Sequence, residues 1–165
     1  MTPREYYARC VKDTHDLAIK HGFVSGGVKA VPELMPLCRR LIDSDLNCSE
    51  ITSEYSDTAE LVEALSYRCL MYGIILANTW HNDFSNLGYI TWKVERDGPN
   101  GYIQYLAEDV LGFTPSRFSS WMEAVYLTCM YALDEVDDME EAHNYCIMEA
   151  CFQMGVSMML SHYEL

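Results

Sequence analysis

The sequence predicts an all-α fold, a single-domain bundle of about five to six helices over residues 1–165 that closes on a C-terminal helical hairpin. Three observations carry this reading. Apolar residues recur three and four apart through most of the chain, the period of helices buried along one side. Helix-opening signals (Thr2-Pro3, Asp57-Thr58, Thr114-Pro115) stand ahead of three of those stretches. Only one segment, residues 89–94, alternates as a strand does. Half of the 165 residues are apolar, which is enough for a core without staples and too much for a disordered chain.

Thr2-Pro3-Arg4-Glu5 supplies an N-cap, a proline at the first helical position and a glutamate at the third. Tyr7, Cys10, Val11, Thr14, Leu17 and Ala18 continue at helical spacing, and Gly22 offers a stop. His15 and His21 read as surface residues of this helix. The Gly-rich connector that follows lacks the GxxxxGK[ST] spacing of a phosphate loop. A second helix spans about Pro32 to Ile42, its first turn left open by Pro36. Arg39 and Arg40 there read as a solvated basic spot. A third helix opens at Asp57-Thr58-Ala59-Glu60, and its apolar face is wide enough to place it at the centre of the core. Trp80 to Asn86 reads as a polar, aromatic loop.

Tyr89 to Val94 is the strand-like segment, and Asp97 to Gly101 is a turn. A short helix from Ile103 to Leu111 is stopped by Gly112. The hairpin comes last, one helix from about Ser116 to Leu133 and another from about Met139 to Ser161. The last helix is apolar around much of its circumference. Such a helix is interior or lies at an oligomer contact, which admits a homodimer.

The turn of the hairpin holds Asp134, Glu135, Asp137, Asp138, Glu140 and Glu141, six carboxylates in eight residues. Asp138 with Glu141 fits a capping box, and negative charge suits the start of the last helix. Asp134 and Glu135 have no such reason, because they close the preceding helix at its electronegative end. The whole chain carries a net charge of −14, with 11 Lys and Arg against 25 Asp and Glu. Residues 1–44 are net +2, 45–96 net −5 and 97–165 net −11, and no Lys or Arg follows Arg117. This balance argues against direct nucleic-acid binding and against anionic membranes.

Seven cysteines without a CxxC pair, most on apolar helix faces, suit reduced thiols in a cytoplasmic protein. The apolar run Cys69 to Ala77 is too short to span a membrane.

Chemistry-bearing groupings are sparse. His143, Cys146 and Glu149 recur three apart and offer imidazole, thiolate and carboxylate to a metal. Glu140 and His143 form one ExxH, but no second copy exists for a di-iron bundle. His81 and Asp83 form a potential base pair with no marked nucleophile. No cofactor is implied. The expectation is a non-enzymatic acidic interaction protein. In its specific form it is an inhibitor that mimics nucleic acid and meets the basic surface of a nucleic-acid-binding protein, as a phage or plasmid anti-defence protein does. A helical-bundle enzyme or metal protein using His143, Cys146 and Glu149 is one alternative. An oligomeric scaffold or small-molecule sensor built on the Met-rich last helix is another.

Overall fold

A computed structural model describes residues 2–24, 35–46, 58–83, 104–133 and 140–164. Helix α1 is Pro3–Lys20, α2 Met35–Leu46, α3 Thr58–Asp83, α4 Pro115–Leu133 and α5 Glu140–Glu164, with a π-helical turn at Tyr105–Val110 before α4. The described residues are helical almost throughout and include no strand. The strand-like segment 89–94 lies outside them.

Local chemistry sets the helix ends. Glu5 N–H donates to Thr2 Oγ1 at 3.2 Å, and Thr2 N–H donates to Glu5 Oε2 at 2.8 Å, a complete capping box. The Thr2 N–H, and the Thr2 hydroxyl at 3.0 Å, donate to the Glu5 carboxylate and hold it below its usual range. At the other end of α1, Gly22 adopts φ +74°. Its N–H donates to the Ile19 carbonyl and that of Phe23 to the Ala18 carbonyl, the two bonds of a Schellman stop. Gly112 likewise takes a positive φ, +66°, after the π-helical turn, and the Phe113 N–H donates to the Ala107 carbonyl. α3 does not end before Trp80 but runs on to Asp83. Tyr163 of α5 explains the extension, because it donates to Asn78 Oδ1 and stacks on His81 with ring centroids 3.7 Å apart.

The core is organised on α3 and α5. Every residue from Cys69 to Asn78 and from Cys146 to Met159 is buried. These two helices run side by side in the same direction. Leu70 meets Gly155, Gly73 meets Phe152 and Val156, and Asn78 meets Tyr163. α1 is also parallel to α5, since Tyr6 contacts His143 near both starts and His15 faces Ser157 further along. Parallel neighbours cannot be joined by a tight turn. α2, and then the π-helical turn with α4, carry the chain between them. α5 therefore leans chiefly on α3 and α1, and less on α4, its neighbour in the chain.

An aromatic knot ties α1, the π-helical turn and α4. Phe23 packs edge-on against Phe113 (4.8 Å) and Trp121 (6.0 Å), and Phe118 bridges Tyr67 (4.9 Å) and Trp121 (5.7 Å). Arg117 lies 4.4 Å above the Phe23 ring. It donates to the carbonyls of Gly112 (3.0 Å) and His21 (3.4 Å), beside both glycine stops.

Candidate functional site

The acidic segment joins α4 to α5. Asp134, Glu135, Asp137 and Asp138 lie outside the described residues, and Glu140 and Glu141 occupy the first turn of α5. What the structure adds is the fate of the rest of the helix. From Cys146 to Met159 α5 is buried on all sides, so its body offers no exposed face for an array of carboxylates. The acidic residues of the last helix are confined to its two ends, with one exception.

That exception is Glu149. Its side chain is 1% exposed, and Arg39 of α2 reaches it with Nε 2.9 Å from Oε1. The contact is an ion pair by distance, although neither carboxylate oxygen receives an aligned hydrogen bond among the described residues. The Arg39 guanidinium also lies 5.1 Å from the Tyr145 ring centroid. Burial pushes the Glu149 carboxyl up to about 7, opposed by Arg39 and reinforced by Asp43. Burial with the Glu149 charge pushes the Cys38 and Tyr7 groups far upward as well. Burial, with smaller contributions from Cys10 and Glu149, carries the Cys146 thiol up to about 12. These thiols are protonated at neutral pH and lack the electropositive setting of a nucleophile. Cys10, Cys38, Cys69, Cys146 and Cys151 are all buried, and none of them is in a disulfide.

The structure does not assemble His143, Cys146 and Glu149 as a metal centre. Positions three apart on a helix step about 60° around the axis and about 4.5 Å along it, so the first and last of the three are about 120° and 9 Å apart. His143 turns to α1, where its Nδ1 is hydrogen-bonded with the Tyr6 hydroxyl. Glu149 turns to α2. Among the described residues no three His, Cys, Asp or Glu are grouped to hold a metal ion.

His81 is exposed on the last turns of α3, and Asp83 ends that helix.

A feature unmarked by any motif is a polar stripe on the buried helix. Glu149, Gln153, Ser157 and Ser161 follow one another at four-residue steps, and all are buried. Beside this stripe, between α1 and α5, opens a cleft of about 230 Å³. The signal was present in the sequence as four polar residues at i, i+4 spacing on an otherwise apolar helix.

No protein-family model, curated protein or solved structure matches this chain. Among the described residues, no helix is long and apolar enough to cross a membrane.

Proposed function

We propose that the protein is a non-enzymatic acidic interaction protein whose segment 134–141 engages a basic protein surface. The partner class that composition favours is a nucleic-acid-binding protein, with the carboxylates standing where phosphates would. One observation carries the reading: the negative charge of the last third is segregated along the chain. Twelve acidic residues and one basic residue follow position 96, and that basic residue, Arg117, is engaged with two backbone carbonyls and an aromatic ring. Six of the twelve carboxylates fall on 134–141, because the body of α5 is taken into the core. Clustered charge of one sign steers an oppositely charged partner and repels the wrong ones.

The test compares the wild type with a variant carrying Asn or Gln at Asp134, Glu135, Asp137 and Asp138. Each is used to capture partners from a lysate of the source cell. Washing from about 0.1 M to 1 M salt shortens the screening length from about 10 Å to 3 Å. The expected result is a basic nucleic-acid-binding protein held by the wild type, released by salt and not held by the variant. Equal capture by both proteins overturns the proposal.

A further inference from the structure

The cleft between α1 and α5 points to a second site, independent of the acidic segment. Ala8, Val11, Ala150 and Met154 give it an apolar lining. Lys12, His15, Gln153 and Ser157 supply the polar groups, and among the described residues no carboxylate lines it. In a chain of net charge −14, a recess bordered by an ammonium, an imidazole, an amide and a hydroxyl is a local reversal of polarity. Its volume of about 230 Å³ exceeds the about 150 Å³ cavity size known to admit benzene.

Two of these groups, His15 and Lys12, keep capacity for a ligand. His15 is half-buried, and its Nε2 is shut off from bulk water with no hydrogen-bond partner among the described residues. A buried ring nitrogen left so has a desolvation penalty that a ligand can relieve. Lys12 Nζ is 2.8 Å from Asp16 one turn on, and both side chains are more than half exposed. An exposed pair of that kind contributes about 1 kcal/mol or less, so the ammonium is available to turn over the cleft.

We infer that this cleft binds a small organic carboxylate, with an apolar ring or chain seated on Ala8, Val11, Ala150 and Met154. Its carboxylate meets Lys12 and His15, and Ser157 borders the same recess. The recess, the orphaned imidazole nitrogen and the lack of a carboxylate among the described lining residues each favour an anionic head on an apolar body. A cation would lack a counter-charge in the lining, and a wholly apolar molecule would leave His15 Nε2 unsatisfied.

The experiment follows the imidazole signals of the full chain by NMR while benzoate, benzyl alcohol or benzylamine is added at about 0.15 M salt. The His15 signal is assigned by its loss in His15→Gln. The expected result is a saturable shift of the His15 signal with benzoate, at least about tenfold tighter than with either analogue. His21, His81 and His162 should stay still. Lys12→Met should weaken benzoate binding by about tenfold. Ala8→Phe, placed on an exposed position of α1, should abolish it without changing the helical content. A silent His15 signal up to about 10 mM benzoate, enough to populate a millimolar site, overturns the inference and leaves the cleft to water. An equal response to all three probes, or undiminished binding in Ala8→Phe, overturns it too.

Discussion

The crossing of α3 on α5 makes a prediction whose sign runs against ordinary helix propensity. Gly73 and Gly155 are interior residues of their helices. Replacing an interior glycine by alanine normally stabilises a helix by about 1 kcal/mol. Here a Cβ on Gly73 would collide with the Phe152 carbonyl oxygen and lie 2.9 Å from Val156 N. A Cβ on Gly155 would collide with the Leu70 carbonyl oxygen and lie 3.0 Å from Ile74 N. The obstacles are backbone atoms, so no side chain can swing aside. Ordinary contact begins at 3.4 Å, so α3 and α5 must separate by about 0.5 Å to clear Val156 N alone, and further to clear the carbonyl. A gap of that size forfeits a quarter to a half of each dispersion contact across the seam. Overpacking of this kind costs about 1–3 kcal/mol, and a rigid backbone obstacle places it near the upper end. After the propensity gain, Gly73→Ala and Gly155→Ala should each destabilise by about 2 kcal/mol, or about 4–8 °C in Tm for a chain of this length. Both changes push the same helices apart, so the double variant should lose about 0.5–2 kcal/mol less than the sum. Urea unfolding of the four proteins measures all three terms. Either single variant proving as stable as the wild type refutes the close crossing.

Two further outcomes follow from the buried polar groups. Glu149 titrates near 7 in the fold, raised from an ordinary value of 4.5. Its burial is therefore tolerated best when it is neutral: its contribution is fully present below about pH 4.5 and is lost as pH rises through 7. The shift corresponds to about 3 kcal/mol. The stability of the wild type relative to Glu149→Gln should fall by up to that amount between pH 5 and 8, and a difference flat in pH would contradict the buried placement. Tyr6→Phe should cost about 1–2 kcal/mol in urea unfolding, because it removes the hydroxyl from His143 inside the core, whereas an unchanged stability would mean the two rings do not meet.

Much of the fold was legible because the strongest signals are local. The capping box at Thr2, the stop at Gly22 and the all-round apolarity of α3 and α5 need only neighbours in the chain. What was not legible depends on partners far away. Helical spacing sets Tyr7 on the inward stripe, yet packing against His143, 137 positions on, buries Tyr6 more deeply and leaves Tyr7 partly buried. Trp80 to Asn86 reads locally as a loop, yet the helix runs on to Asp83, with Tyr163 packed against Asn78 and His81. Arg39 resembles any solvated arginine until α2 is laid on α5 and Glu149 needs a counter-charge. Gly73 and Gly155 look like weak points of their helices, and only their mutual approach shows the space they leave. Of the candidate sites, the acidic segment was evident from composition. The metal triad rested on a spacing that recurs by chance on any helix, and the two outer side chains turn to different neighbours.

The topology also separates the acidic residues that folding explains from those it does not. A helix buried from Cys146 to Met159 admits a carboxylate only with a partner, since an unpaired buried charge costs several kcal/mol. Glu149 has Arg39, and the remaining charge is displaced to the ends. At the start of α5 the dipole welcomes Glu140 and Glu141. At the end of α4, which closes at Leu133, the dipole opposes Asp134 and Glu135. Neutralising the two pairs should thus move stability in opposite directions. Glu140→Gln with Glu141→Gln should lose about 0.3–1 kcal/mol per site, and Asp134→Asn with Glu135→Gln should gain about as much. If the proposed interaction is what this pair serves, the stabilised Asp134/Glu135 variant should be the one that binds the basic partner more weakly. If that variant gains stability and keeps full binding, these two carboxylates have no part in recognition, and the partner surface must be sought among Asp137, Asp138, Glu140 and Glu141.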